Sequence, residues 1–278
     1  MTAEEGAPAE PVLCTRDPRG VVTLTLARPD KGNAYDRRMV AIMAEAVAEV
    51  SADPSARALV LRGQGRHFSV GGDIFGDPDA HAGGEGVPAL MPDLCLALDA
   101  CPKPTVALVH GACVGGGFAL AACCDVLLAA DDAFFAVPEL RLGFAVAPYV
   151  PLFERALGAR ALRRLLITGE RILADEALRL GVAHAVHEKA EAEAALEKTL
   201  DAVLLAAPAA LAAAKRDLRA LSGEPATAEL LASLHPAFHA GFWSEEGREG
   251  RAAFLEKRRP AWAPAKSPDT HPDTKKRG

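Results

Sequence analysis

Two glycine-bearing stretches hold the residues best placed to do chemistry. The first is Arg66-His67-Phe68-Ser69-Val70-Gly71-Gly72-Asp73-Ile74, which follows a β-like run from Ala58 to Leu61. The second is His110-Gly111-Ala112-Cys113-Val114-Gly115-Gly116-Gly117-Phe118-Ala119-Leu120. It follows Thr105 to Val109 and opens a helical run. A chain that leaves a strand through glycine and enters a helix presents unpaired N–H groups, and glycine lets a ligand come close to them. Two such donors aimed at one point make an oxyanion hole, which stabilises a carbonyl oxygen as it gains charge. Gly72 and Gly116 are the candidate donors. Val70, Gly71, Asp73, Ile74 and Gly115 are the neighbours that would touch the same substrate. Taken singly, each glycine also reads as an ordinary turn residue with no ligand.

Glu139, in Phe135-Ala136-Val137-Pro138-Glu139-Leu140-Arg141-Leu142-Gly143, is the candidate acid/base. An acid after a short strand and Pro138, among apolar neighbours, should be partly desolvated. Desolvation raises a carboxyl pKa toward the range useful for moving protons. The alternative is a surface glutamate paired with Arg141. Two donors and one acid together point to acyl-group chemistry through an enolate-like state.

The elements that must position these groups read as an α/β core. Val21 to Leu26 alternates as a strand. Arg28 to Asn33 is a polar turn, and Asp36 is a plausible N-cap for a helix from Arg37 to Val50. Ala58 to Leu61, Thr105 to Val109, Asp125 to Ala129, Ala133 to Ala136 and His184 to His187 read as strands. Ala89 to Ala100, Arg160 to Thr168 and Ala174 to Leu180 read as helices, and Gly76 to Gly86 as a mobile loop. From Lys189 to Lys257 the chain is almost all helix, divided by Pro208, Gly223-Glu224-Pro225 and Pro236. Strands alternating with helices imply an α/β fold. The division that follows is a core over 13–200 with the active site and a helical region over 201–262. Tails at 1–12 and 263–278 read as disordered.

Composition excludes other classes. The chain has 278 residues, with 31 Lys and Arg against 37 Asp and Glu, for a formal net charge of −6. That argues against nucleic-acid binding, which needs a basic face. Six cysteines and eight histidines form no metal-binding spacing. The cysteines read as reduced and buried, and the acidic, Pro/Ala-rich start is neither a secretory signal nor a basic transit peptide. A cytoplasmic protein is expected. Pro104 to Cys124 contains no Asp, Glu, Lys or Arg, long enough for a membrane span. Its glycines and β-branched first part fit a buried strand and helix better, so no membrane partner is expected. No serine sits in a G-x-S-x-G elbow, and the glycine run is not a phosphate-binding P-loop.

With these motifs in order, the chain resembles the crotonase superfamily, the enoyl-CoA hydratases and isomerases. The resemblance runs from about Val21 to Trp262. Its marks are Leu26-Ala27-Arg28-Pro29-Asp30-Lys31-Gly32-Asn33-Ala34, Phe68 to Ile74, Gly111 to Asp125, Pro138-Glu139 to Gly143, and the tail Glu246 to Arg258. It implies a spiral of ββα turns with C-terminal helices that drive assembly into a homotrimer, often a hexamer. It implies an acyl-CoA or acyl-carrier-protein thioester as substrate. CoA or phosphopantetheine then enters as part of the substrate, and no separate cofactor is expected. Carried over, Gly72 and Gly116 match the two oxyanion-hole positions and Glu139 an acid/base glutamate.

Departures from the family pattern narrow the reaction. Family hydratases usually carry a second glutamate three residues beyond the second donor glycine, where this chain has Ala119. One glutamate suffices to move a proton between carbons, so double-bond isomerisation is favoured over hydration or dehydration. Phe75 stands where many CoA-dependent members place a lysine, leaving Arg28, Lys31 and Arg66 as candidates for phosphate contact. Ala34 and Pro138 complete the candidate substrate contacts. Tyr149 joins them, from an Ala-Pro-aromatic feature similar to the isomerases. The spacing to Pro151 and Arg155 is also similar to dehydratases of polyketide β-branching, which act on carrier-bound thioesters. Fatty-acid and polyketide pathways both stay open, as does a non-catalytic homologue that binds acyl thioesters.

Overall fold

The alternating and apolar runs build two sheets joined by tight turns. A computed structural model describes residues 10–74, 91–143 and 145–264. In chain order the elements are β1 (Val12–Arg16), β2 (Val21–Leu26), α1 (Arg37–Ala52), β3 (Ala58–Gly63), α2 (Met91–Ala100) and β4 (Thr105–Val109). Then come β5 (Ala112–Val114), α3 (Gly116–Ala122), β6 (Val126–Ala130), β7 (Phe134–Ala136), α4 (Val150–Thr168) and β8 (Ile172–Leu173). The rest is α5 (Ala174–Arg179), β9 (Ala185–His187), α6 (Ala192–Val203), α7 (Pro208–Leu221), α8 (Ala228–Phe242) and α9 (Glu245–Leu255).

The larger sheet has the order β1-β2-β3-β4-β6-β9, parallel except for the β1–β2 pair. The smaller has the order β5-β7-β8. Each of the middle turns of the chain repeats one plan. A strand of the large sheet passes through a short turn into a strand of the small sheet, and then into a helix: β4, β5, α3, and next β6, β7 and the 3₁₀ turn Glu139–Leu142. This is the ββα spiral that the family resemblance implies.

The central strands are buried on both faces, which is why they read as continuous apolar runs. Val106 and Leu108 of β4 pack with Leu196, Leu200 and Leu204 in one core cluster, while Ala107 and Val109 belong to the other. In the latter, Phe118 of α3 lies 5.1 Å from Phe135 of β7 and 5.0 Å from Phe153 of α4, ring centre to ring centre. The uncharged run Pro104 to Cys124 is therefore core: β4, β5 and α3 in succession. No helix among the described residues is long and apolar enough to cross a membrane.

Several sequence expectations change. β1 begins at Val12, so the buried Val12 is a strand residue and not part of a tail. Residues 1–9, Phe75, the Gly76 to Gly86 loop and 265–278 lie outside the described residues. Pro236 does not divide the helical region, because α8 runs through it. A proline in a helix gives up one backbone hydrogen bond, and α8 is largely exposed, so water can serve the carbonyl left over. α4 begins at Val150 and is broken at Gly158, whose φ of 71° is left-handed. The helix expected from Arg160 is its second half.

One buried side chain ties the ends of β2 and β3 together. Asn33 is fully buried with φ 57°, a conformation that asparagine tolerates better than most residues. Its Oδ1 accepts from the Arg28 amide, and its Nδ2 donates to the carbonyls of Gln64 (2.9 Å) and His67 (2.7 Å). Asn33→Ala would leave those carbonyls unpaired and lose the residue suited to the turn. We expect a loss of roughly 2–4 kcal/mol in urea unfolding. Parental stability would show that the turn holds without the side chain.

Candidate active site

The small sheet sets the site because its register carries on past the strands. Ser69 bridges Cys113, Cys113 pairs with Phe135, and Tyr35 bridges Gly72. Just past the paired residues Gly115 N still bonds Ala136 O, and a Cβ on Gly71 would stand 3.2 Å from Val114 O, so Gly72, Gly116 and Pro138 lie where the three strands end side by side. Residues from four successive turns of the chain, Tyr35, Gly72, Gly116 and Glu139, therefore meet in one row.

Backbone hydrogen bonds lock this row. Val70 N donates to Gly32 O (3.0 Å), Tyr35 N to Gly71 O (2.9 Å), Asp73 N to Tyr35 O (2.8 Å) and Ile74 N to Gly72 O (2.9 Å). Gly71 N donates to Ser69 Oγ. On the other side Ser69 N donates to Ala112 O, Val114 N to Ser69 O and Gly115 N to Ala136 O. Among the described residues, every amide from Val70 to Ile74 finds a partner except that of Gly72. Among the described residues no hydrogen bond uses the Gly116 amide either, which opens α3. The two donors singled out from sequence are thus the ones that the backbone leaves unused.

Glycine is required at both positions beside Glu139. Gly115 has φ 55° and ψ −126°, a region closed to side chains. A Cβ on it would stand 2.1 Å from Glu139 Oε1, and one on Gly116 would stand 2.0 Å from the Tyr35 hydroxyl. Bare backbone therefore lets a carboxylate and a phenol close on two successive residues. Glu139 opens its 3₁₀ turn after Pro138. Its Oε2 is buried with no hydrogen-bond partner among the described residues, and burial raises its pKa above the usual carboxylate value. Arg141 donates instead to Thr168 O, so no Glu139–Arg141 pair forms. A protonatable oxygen without a protein partner, beside two unused amides, can exchange a proton with whatever molecule occupies the gap.

The surrounding residues fall into two groups. Val70 and Ile74 are exposed at the rim, Pro138 and Tyr149 are half-buried, and Ala34 is buried with its carbonyl held by Arg28 Nη1 (2.8 Å). Ala119 is fully buried in the core. A cleft of about 640 Å³ opens beside Val70 and Pro138, with Ala112 and Val114 on its wall and Arg141 and Arg171 at its edge.

The three cations differ. Arg28 is occupied: it bonds Asp36 (3.0 Å) and Asp73 (3.0 Å) as well as Ala34 O, which removes it from phosphate contact. Burial opposes ionisation of Asp73, but the bonds from Arg28 and Lys31 outweigh it and hold its carboxyl below the usual value. Lys31 reaches Asp73 at 3.3 Å yet stays half exposed, and Arg66 is exposed. His67 is structural, its Nδ1 accepting from Ala112 N at 3.0 Å, and burial lowers its pKa.

Tyr35 is the residue that sequence reasoning missed. It follows Asn33-Ala34 as a large aromatic in a polar turn, which was the only signal. Its hydroxyl is hydrogen-bonded to that of Tyr149, and burial raises both phenols, Tyr149 to about 12. No group of three or more His, Cys, Asp or Glu among the described residues could hold a metal.

Comparison with known proteins decides the family. A model of the enoyl-CoA hydratase/isomerase family matches residues 16–265. The chain belongs to that family. A carnitinyl-CoA dehydratase of Salmonella enteritidis is 32% identical over 252 residues, covering 87% of this chain and 94% of that one. The crystal structure of an enoyl-CoA hydratase/isomerase from Marinobacter aquaeolei is 35% identical with a TM-score of 0.84, covering 91% and 99% of the two chains. Pseudomonas aeruginosa AtuE is 39% identical with a TM-score of 0.84, covering 92% and 100%. The fold is that of the crotonases, and an acyl-CoA thioester is the substrate class consistent with the family.

Burial of Glu139 has a consequence for stability. Its folded pKa lies above its unfolded one, so between the two the folded state holds more protons. Stability then falls as pH rises through that window. Glu139→Gln cannot ionise and escapes the penalty. The variant should melt at a higher temperature than the parent at pH 7, with the gap closing toward pH 4. A lower melting temperature at pH 7 would mean that the carboxylate is stabilised in place.

Proposed function

We propose that the protein shifts the double bond of an unsaturated acyl thioester. The thioester oxygen takes hydrogen bonds from the Gly72 and Gly116 amides. Glu139, as carboxylate, removes a proton from the α-carbon of a 3-enoyl thioester, and the electron pair moves onto the carbonyl oxygen. The dienolate is held by the two donors. The same Glu139, now protonated, returns the proton to the γ-carbon and leaves a 2-enoyl thioester. The observation that carries this reading is the unpartnered, burial-shifted carboxyl of Glu139 beside two unused amides, with an alanine at 119. Exposed Lys31 and Arg66 are suited to the phosphates of CoA or of a carrier's phosphopantetheine.

Water addition or its reverse is the second reading. The Tyr35–Tyr149 hydroxyls favour it, since they could hold an oxygen without a second carboxylate. A relative named as a carnitinyl-CoA dehydratase lends it weight too. Assembly is also proposed. Phe238, Trp243, Phe254 and Leu255 on α8, α9 and the link between them are exposed in a single chain, and such faces are usually covered by a partner. A trimer or hexamer is expected in sedimentation equilibrium, and a monomer at micromolar concentration would contradict it.

Rates on matched 3-enoyl and 2-enoyl thioesters, on CoA and on a carrier protein, test the reaction. Isomerisation should outpace hydration, and Glu139→Gln should lower both by about 10²–10⁴-fold. Faster hydration in the parent would assign the second reading. No turnover, and no exchange of an α-proton for deuterium, would leave a binding protein.

A further inference from the structure

The proton shift uses none of the six cysteines, and two of them meet behind the site. Cys95 on α2 is fully buried, and Cys123 at the end of α3 is partly exposed. Both belong to the core cluster in which these helices pack on each other. Their thiols share a hydrogen bond. Cys95 is also close enough to Tyr35 and Tyr149 for its charge to act on both phenols. On the other side a cleft of about 650 Å³ opens to solvent, lined by Cys123 with Leu152 and Arg155 of α4 and Arg219 of α7. The pair thus stands between the candidate active site and a second, separate cleft.

The surroundings give the two thiols different tasks. A thiolate, not a thiol, attacks an oxidant. The hydrogen bond to Cys123 and burial hold the Cys95 thiol protonated, well above the usual range. Its S–H then donates to Cys123, the member that solvent reaches. Arg155 lies near enough to Cys123 for their charges to interact. Arg155 and Arg219 also share the single carboxylate of Asp99, each at 3.1 Å, which leaves one positive charge over at that end of the cleft. A donated S–H and a nearby guanidinium both favour a thiolate at Cys123. Cys14 supplies the contrast: it is more exposed, but partial burial and the charge of Glu49 raise its pKa. Cys124, next in sequence, is buried and turns its Sγ to Leu120 O at 3.8 Å.

We propose that Cys123 and Cys95 form a redox pair: a hydroperoxide entering the cleft oxidises Cys123, and Cys95 closes it to a disulfide that joins α2 to α3. In the first step the Cys123 thiolate attacks the peroxide. The O–O bond breaks, Cys123 becomes a sulfenic acid, and hydroxide or alkoxide leaves. In the second the Cys95 sulfur attacks the sulfenic sulfur. The S–O bond breaks, the S–S bond forms, and the Cys95 proton leaves with the hydroxyl as water. Two thiols are oxidised and one peroxide is reduced. The bridge ties down α3, the helix that opens with Gly116, beside the two phenols. This inference uses only the packing of the two helices and does not depend on the acyl-thioester reading.

Peptide mapping of the full chain tests it. The folded protein is treated with hydrogen peroxide, the remaining thiols are blocked with N-ethylmaleimide in denaturant, and unreduced peptides are read by mass spectrometry. A linked Cys95–Cys123 peptide, lighter by two hydrogens than the two free peptides together, should form and should disappear with dithiothreitol. Cys123 should be consumed faster than the more exposed Cys14. Cys95→Ala should halt the sequence at the Cys123 sulfenic acid, which dimedone traps. Cys123→Ser should leave Cys95 as a free thiol. The map of the parent decides the question even where a variant fails to fold. A parent whose Cys123 stays a free thiol while Cys14 is oxidised would overturn the inference. So would a bridge from Cys123 to Cys124 in place of the one to Cys95.

Discussion

The register of the small sheet is the constraint on which the site depends. Parallel pairing of Ser69 with Cys113, and of Cys113 with Phe135, fixes how far each turn of the spiral advances past the last. A slip of one residue would turn every side chain to the other face. It would also put the Gly72 and Gly116 amides into the hydrogen bonds now made by their neighbours. Side chains guard this register as well as backbone. Asn33 closes the first turn, His67 holds Ala112, and Ser69 Oγ donates to Asn33 O.

What the fold leaves unsatisfied matters as much as what it satisfies. Among the described residues, two amides and one carboxyl oxygen have no protein partner in a region where almost every neighbouring group has one. Unpaired groups of this kind cost stability, and the bonds around them are what keep them in place. Arg28 shows the same division of labour. Bound to Asp36, Asp73 and Ala34, it braces the segment that carries Gly72 and is not free for ligand. Its partner Asp73 lies 45 residues away, so no local pattern could separate it from the exposed Lys31 and Arg66.

What was legible in the sequence was what depends on local chemistry. β2, β4 and α1 read cleanly because apolar alternation, an uncharged run rich in β-branched residues and the Asp36 cap each act over a few residues. The glycines and Glu139 stood out because their types are unusual at strand ends. β5 was not separated from the glycine run, since three residues carry no period. β1 was missed because it is an edge strand whose partner, β2, supplies most of its definition. The continuation of α8 through Pro236 and the polar role of Tyr35 depend on distant neighbours: solvent along one helix, and Tyr149 with Gly116 at the other site. The family resemblance supplied the ββα spiral, which periodicity alone left as a generic α/β core.

The most direct test of the account is the state of the thioester carbonyl when bound. Isotope-edited infrared spectroscopy of a carbonyl-¹³C acyl-CoA on the Glu139→Gln protein reads its polarisation without turnover. Two backbone donors should shift the carbonyl stretch clearly below its position in water, and Gly116→Pro, which removes one amide, should return much of that shift. A stretch at the free-thioester position in the bound complex would contradict the account, because Gly72 and Gly116 would then not be holding the oxygen.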